Sequence, residues 1–194
     1  VDAKVINAAE QGGVTARKRA VIVATNFETV DWPAPIIHQR RMRDYLLPAD
    51  HGDCEWFTRT DPNKQWLFNH WETQREKGNG LISAIIDYDD LTVGTIKKRY
   101  LAGQGDNQVV LYPHDRAIHA ESVRYFAETP ASQWTVEKIS MRNQVRYRWL
   151  TVGEIKRIMT LPDDYDLGPT KTLAGEILGQ GVHVDTFTRI IRSV

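Results

Sequence analysis

A continuous apolar run near the N-terminus, Ala20 to Ala24, most constrains the fold of this chain. Its valine and isoleucine residues have no polar residue between them, which is typical of a strand that is covered on both faces of a sheet. The run follows the glycine pair Gly12-Gly13 and the basic triplet Arg17-Lys18-Arg19. We therefore predict an α/β fold in which this strand and a strand over Val5 to Ala9 form a hairpin at the edge of a larger sheet.

The middle of the chain, from Asp31 to about Val145, is predicted to contain only short secondary-structure elements. Prolines break it into short segments, and no helical period persists for more than a few turns. Helical spacing predicts a helix within Pro62 to Lys77, and strands are predicted over Val109–Tyr112 and Trp134–Ile139. We expect this part to form an irregular α+β domain.

The C-terminal part contains two predicted helices. Thr151 can cap the first helix, Glu154 stands where a capping box requires it, and Pro162 ends it. The second helix is predicted over Val184 to Ile191, because apolar residues recur there at helical spacing. Between the two helices lies the segment Gly179-Gln180-Gly181-Val182.

These C-terminal motifs resemble the closing motifs of the DNA cytosine-5 methyltransferases. Arg-Trp-Leu-Thr-Val-Gly-Glu at 148–154 is similar to the family's arginine-x-leucine-threonine-x-x-glutamate helix, and Leu-Pro-Asp-Asp-Tyr at 161–165 is similar to its phenylalanine-proline-aspartate-x-tyrosine turn. Residues 179–182 take the place of its glycine-asparagine-x-valine. Residues 12–19 resemble the segment in which a glycine loop precedes glutamine-x-arginine-x-arginine, with Thr15 at the glutamine position.

The resemblance implies both a domain organisation and site residues. Residues 1–30 and 146–194 are expected to form the edge of a Rossmann-like methyltransferase sheet, with residues 31–145 as the target-recognition domain between them. In the family the two arginines line the pocket for the extruded cytosine, and this implies that role for Arg17 and Arg19. The family's closing loop forms one wall of the S-adenosylmethionine pocket, and this implies cofactor contacts for Gly181 and Val182.

Basic segments are the candidates for contact with double-stranded DNA. Because Lys plus Arg and Asp plus Glu both number 25, DNA binding requires local clustering of positive charge. Residues 138–149 combine basic, amide and aromatic side chains without an acidic residue, a mixture that can contact phosphates and base edges or form a solvated basic face. The predicted DNA contacts are Arg142, Arg146, Arg148, Lys97, Lys98, Arg99 and Gln180.

Three family motifs that carry the chemistry do not occur in this sequence: the phenylalanine-x-glycine-x-glycine cofactor loop, the proline-cysteine nucleophile and the glutamate-asparagine-valine segment. The single cysteine, Cys54, lies between Asp53 and Glu55, whose charges disfavour a thiolate. We predict no metal site, because His51, Cys54 and His70 lack a fourth ligand and a known spacing. Cytosine attacks a methyl donor only after a thiolate has added to its ring, so the missing chemistry requires a second half.

We therefore expect the DNA-recognition half of a site-specific DNA cytosine-5 methyltransferase, which completes a cofactor pocket shared with an N-terminal methyltransferase subunit and acts on a flipped base. A naturally split heterodimer is preferred over a longer polypeptide cut before Val1. The alternative is a non-catalytic DNA-binding or regulatory subunit, which Thr15 and Gln180 at two family positions favour. A third hypothesis is a partner that transfers a modified group or acts on nucleotides.

The expected location is the cytoplasm of a bacterial or phage-infected cell, in restriction-modification or phage DNA modification. The single cysteine fits a reducing interior. The longest apolar stretches are too short to span a bilayer, and the N-terminus lacks the features of a signal peptide. We therefore expect no membrane contact.

Overall fold

A computed structural model describes residues 1–26, 30–36, 40–78, 85–98, 100–102 and 108–193. The chain has a mixed α/β fold with two small sheets, which confirms the predicted fold class. No helix in these ranges is both long and apolar enough to cross a membrane. The elements are β1 (Asp2–Asn7), β2 (Lys18–Val23), α1 (Gln65–Glu76), β3 (Ile85–Ile86), β4 (Val109–Leu111), α2 (Arg116–Glu128), α3 (Val136–Asn143), β5 (Tyr147–Trp149), α4 (Val152–Ile158), α5 (Lys171–Gln180) and α6 (Val184–Ser193).

The chain packs into two compact units. The first, called the terminal unit, consists of Val1–Leu46, Asp89–Gln104 and Val152–Val194, and the second, the central unit, consists of Leu47–Tyr88 and Gly105–Thr151. The predicted domains divide the chain at residues 30 and 145 instead. Since the units are defined by packing and the domains by function, the domain assignment stays a prediction.

The terminal unit begins with the predicted hairpin. Strands β1 and β2 pair antiparallel, and Gly12 in the connection has a φ of 84°, a value that glycine adopts without strain. One face of the hairpin buries Ile6 and Val21 against Ile190 of α6. Helix α6 confirms the second predicted C-terminal helix, although its apolar residue Ile191 is exposed.

The second face of the hairpin is open in this chain. Ala3, Val5, Ala20 and Ile22 alternate with the buried residues, so they share this face, and Val5 and Ile22 are 67% and 72% exposed. The prediction that the Ala20–Ala24 run is covered on both faces is therefore wrong for the part of the chain that the structure describes. No residue that the structure describes packs on this second face. We call these four residues the open sheet face.

The central unit is built around a second sheet with the order β3-β4-β5, in which β3 and β4 are parallel and β4 and β5 antiparallel. Helix α1, which the sequence predicts, supplies three apolar residues to the core of this unit. Aromatic rings meet there edge to face, a favourable arrangement. The core residues are Phe57, Leu67, Phe68, Trp71, Val109, Leu111, Val145 and Tyr147.

Two helices of the central unit differ from the sequence predictions. The strand predicted over Trp134–Ile139 is wrong: helix α3 begins at Val136, because the Thr135 side chain accepts a hydrogen bond from the backbone N–H of Lys138 and caps the first turn. Helix α2 lies in the part where no long helix is predicted.

The predicted helix after Thr151 is confirmed as α4, which ends at Ile158, ahead of Pro162.

An ion pair connects the turn before α2 to the residue before β5. The buried Asp115 carboxylate accepts from Nε and Nη2 of Arg146 at 2.9 and 2.8 Å, and also from the backbone N–H of Arg146 at 2.9 Å. Burial raises the pKa of Asp115, but the hydrogen bonds from Arg146 outweigh this effect and hold the pKa below its ordinary value of 3.8. The pair therefore stabilises the fold above pH 3.8.

Asp115→Asn is expected to lower the free energy of unfolding at pH 7 by about 1–3 kcal/mol, because charge-assisted hydrogen bonds are lost. A depressed pKa in the folded state means that this contribution is lost as the pH falls below 3.8 through the folded pKa. Urea unfolding at several pH values measures both effects. Asp164→Asn, at an exposed position, is the matched control, and an equal loss in both variants would contradict the prediction.

Candidate functional site

A buried arginine joins three separate parts of the terminal unit. Arg17, just before β2, is 1% exposed. Its Nη1 donates to the carbonyl of Ile96 at 3.0 Å, and its Nη2 donates to the carbonyls of Gly179 and Gly181 at 2.7 and 2.6 Å. We call this arrangement the Arg17 clamp. It brings one predicted base-pocket residue against the loop that was predicted to contact the cofactor.

The segment before Arg17 is held in place by strand-like pairing with residues 93–95. The backbone of residues 14–16 exchanges hydrogen bonds with Val93, and Thr15 forms a parallel bridge with it. The Thr15 side chain is fully buried, and its hydroxyl donates to the carbonyl of Gly94 at 3.3 Å. Thr15, which stands at the family's glutamine position, thus helps to fix the backbone in this chain.

The C-terminal half of α5 approaches residues 97–98 at backbone distance. A Cβ atom on Gly179 would overlap the backbone of Lys98, and one on Gly175 would lie 2.8 Å from the carbonyl oxygen of Lys98. Only glycine therefore fits at these two positions, which lie one helical turn apart. This spacing of glycines is visible in the sequence and is the signal that could have predicted α5 and its close packing.

Within the described residues, the Arg17 guanidinium has no carboxylate partner and its Nε has no hydrogen-bond partner. Burial, with a smaller contribution from Arg19, lowers the pKa of Arg17 to about 10, so the side chain remains charged at neutral pH. The carbonyl of Gly179 belongs to the last turn of α5, where helix carbonyls lack partners and carry partial negative charge. Peptide dipoles thus balance this charge.

The other predicted residues of this site, Arg19, Gly181 and Val182, differ in their exposure and surroundings. Arg19 is partly exposed and donates, within the described residues, only to the carbonyl of Lys18, so its guanidinium is more accessible than that of Arg17. Gly181 follows α5, and Val182 borders a cavity of about 10 Å³. Since that volume holds about one water molecule, these residues provide no complete site for S-adenosylmethionine.

Three of the predicted DNA contacts lie close to the Arg17 clamp. Lys97, Lys98 and Gln180 are exposed, and Lys98 forms an ion pair with Glu176 at 2.8 Å. Because Gly179 packs directly on Lys98, the end of α5 and residues 97–98 form one surface. Arg99 lies outside the described residues.

The remaining predicted DNA contacts belong to the central unit and are largely committed to internal partners. Arg142 stacks on the ring of Phe126 at 4.2 Å and donates to Glu72. Arg146 is held by its Asp115 pair. Arg148 is 1% exposed and donates to the carbonyl of its neighbour Trp149. This placement favours a structural role for Arg148.

The cysteine and the histidines do not form a reactive centre in the described part of the chain. The Cys54 thiol donates to the carbonyl of Pro48 at 3.5 Å in a turn of the central unit. No group of three or more histidine, cysteine, aspartate or glutamate side chains in the described ranges is arranged to hold a metal ion.

Arg17→Lys is expected to lower the free energy of unfolding by about 2–4 kcal/mol and to speed amide hydrogen exchange at residues 178–182, because an ammonium group cannot bridge three carbonyls in this geometry. Arg19→Lys is the control and is expected to change both by little. Urea unfolding and hydrogen exchange measure the two effects. Unchanged exchange at residues 178–182 in Arg17→Lys would contradict the clamp.

Comparison with known proteins places these features in a family. The whole chain, residues 1–194, matches the family model described as C-5 cytosine-specific DNA methylase. None of the curated proteins matches the chain.

Three solved structures share the fold. The S. pombe Dnmt2 methyltransferase is 14% identical with a TM-score of 0.57, and the match covers 97% of this chain and 55% of that one. A triple mutant of Spodoptera frugiperda DNMT2 is 12% identical with a TM-score of 0.65, with 98% and 56% covered. The Entamoeba histolytica methyltransferase EhMeth is 17% identical with a TM-score of 0.55, with 99% and 52% covered.

The chain thus spans little more than half the length of these solved proteins. At such low identities the likeness shows a shared fold alone. The match to the family model shows more than a fold, because it extends over every residue of the sequence. The chain belongs to the C-5 cytosine-specific DNA methylase family.

Proposed function

We propose that this chain is the DNA-recognition half of a DNA cytosine-5 methyltransferase and that it completes the cofactor pocket of a second half. The second half would carry the proline-cysteine nucleophile and the cofactor loop, neither of which occurs in this sequence. We favour a partner subunit as its source. The site of action would be the cytoplasm of a bacterial or phage-infected cell, with double-stranded DNA as substrate.

The open sheet face is the observation that carries this proposal. Ala3, Val5, Ala20 and Ile22 present apolar side chains from two strands to solvent. A two-stranded ribbon is marginally stable in water, and contiguous exposed apolar patches are typical of interfaces. The family match and the coverage of about half of the solved proteins support the catalytic half as the element that covers this face.

Each residue near the Arg17 clamp has a role in this proposal. Arg17 is a positioning residue, because it holds the loop at Gly181 through backbone carbonyls. Arg19, with its more accessible guanidinium, is the residue that contacts the extruded cytosine or a flanking phosphate. Lys97 and Lys98 are exposed and supply positive charge for the DNA backbone.

The central unit supplies sequence recognition in this proposal. Helix α3 has no buried residue, and it borders an open groove of about 540 Å³ together with Thr58 and Thr60. Hydroxyl and amide side chains from Ser140, Asn143 and Gln144 line this groove, and such groups can read base edges.

The family uses S-adenosylmethionine, which supplies the methyl group when bound. In this chain the residues beside Val182 enclose only about 10 Å³, so Gly181 and Val182 supply at most one wall of such a pocket. The chain's own contribution is the position of that wall, which depends on the hydrogen bond from Arg17 to Gly181.

Methyl transfer is expected only when this chain is mixed with a catalytic half of the family. The test follows labelled methyl groups from S-adenosylmethionine into duplex DNA with each component alone and with the mixture. Arg19→Ala is expected to reduce transfer by the mixture at least about tenfold, because one charge-assisted contact in the base pocket is lost. Lys171→Ala, at the opposite end of α5, is the control.

Three other results would change the proposal. Salt-sensitive DNA binding without methyl transfer in any mixture supports the alternative, a non-catalytic DNA-binding subunit. Thr15 and Gln180, which replace the usual residues at two family positions, favour this alternative. If the mixture neither binds DNA nor transfers methyl groups, both functions are wrong. Transfer to free nucleotides in place of DNA would support the third hypothesis.

A further inference from the structure

The central unit contains a cavity of about 110 Å³ that the proposed function does not use. Its walls are mainly apolar, with Trp71 from α1, Ile85 from β3, and Val123 and Phe126 from α2. A dry apolar cavity of about 150 Å³ takes up benzene. This cavity is smaller, but its lining residues Val123 and Ala127 are exposed, so it opens to the surface and can receive part of a small ring or a short branched chain.

Three arginines converge on one glutamate at the wall of this cavity. Glu72 Oε1 accepts from Nη1 of Arg59 at 3.0 Å and from Nη1 of Arg142 at 3.3 Å. Glu72 Oε2 lies 2.7 Å from Nη2 of Arg75. A single carboxylate thus faces three guanidinium groups, which leaves an excess of positive charge.

The other titratable groups that line the cavity do not offset this excess. Burial and the nearby Arg59 lower the pKa of His119, so its ring is neutral at neutral pH. Burial raises the pKa of Tyr147, so its hydroxyl stays protonated, 3.3 Å from Nδ1 of His119. Among the described lining residues, Glu72 is the one anion.

Three buried donors belong to residues that line the cavity. They are Nε of Arg59, Nε of Arg142 and the hydroxyl of Ser122, none of which has a hydrogen-bond partner within the described chain. The guanidinium carbon of Arg59 lies 4.8 Å from the ring centroid of Phe68, and that of Arg142 lies 4.2 Å from the ring centroid of Phe126, so both groups are held beside aromatic rings. Buried donors are rarely left unpaired in proteins.

We propose that this cavity binds a small organic carboxylate through Arg59, Arg142 and Ser122. A carboxylate offers two acceptor oxygens to guanidinium edges and one negative charge to the excess of positive charge. The apolar walls require a hydrocarbon body on the same molecule, and the volume limits that body to a small ring or branched chain. This site is independent of the proposed function, because it uses none of the residues assigned to base or cofactor.

Benzoate is the probe that tests this site on the full 194-residue chain. Isothermal titration is expected to detect binding of benzoate that is at least about tenfold tighter than binding of benzyl alcohol, which has the ring without the charge. Inorganic phosphate, which has the charge without the ring, is also expected to bind more weakly. Arg59→Gln is expected to weaken benzoate binding about tenfold or more, and Arg124→Gln, on an exposed position of α2, is the matched control.

Ala127→Leu keeps the arginines and narrows the cavity from an exposed position on α2, so it tests the site even if Arg59→Gln does not fold. Loss of benzoate binding in this variant supports the proposal. Equal affinity for benzoate and benzyl alcohol, unchanged benzoate binding in both cavity variants, or absence of benzoate binding to the folded chain would overturn it. Phosphate binding as tight as that of benzoate would overturn the assignment of an organic ligand.

Discussion

The hydrogen bonds of Arg17 are the interaction on which the terminal unit depends. One buried guanidinium joins the start of β2 to Ile96 and to the loop that follows α5. These partners lie 79 and 162 to 164 residues away along the chain, so a single side chain organises segments that have no local reason to meet. Because a buried charge without acceptors is costly, the three carbonyls and the arginine fix each other's positions. The glycines of α5 make this arrangement sterically feasible.

The same unit exposes one face of its hairpin. Its hairpin packs one face against α6, and within the described residues the other face, with Val5 and Ile22, is open. The chain matches its family model over residues 1–194 and spans little more than half the length of the solved proteins. In the proposed function, the residues that cover this face belong to the second half of the enzyme. The absent nucleophile and cofactor loop point to the same half. In the proposed function, recognition and pocket closure are therefore separated from bond-making chemistry.

Local patterns predicted much of the secondary structure, but not the role of Arg17. The β1–β2 hairpin, α1, α4 and α6 follow from apolar periodicity, turn residues and caps, all of which act over a few residues. The short apolar pattern of α3 fits the period of a strand as well as that of a helix, and the cap at Thr135 favours the helix. The burial of Arg17 could not be predicted, because its hydrogen-bond partners are distant in sequence. The burial of Arg148 could not be predicted either, because it results from the packing of the central unit. The cavity with its three arginines also depends on such contacts, because Glu72 meets Arg142 across 70 residues of sequence.

Association with a catalytic half of the family tests the central claim most directly. The measurement is the affinity of this chain for that half, without DNA, for the wild type, for Ile22→Lys on the open sheet face and for Val136→Lys, an exposed control position in the central unit. If the catalytic half covers this face, Ile22→Lys weakens association at least about tenfold, because a charge would be buried without a partner, while Val136→Lys leaves it unchanged. Equal affinities of the wild type and Ile22→Lys would contradict the claim.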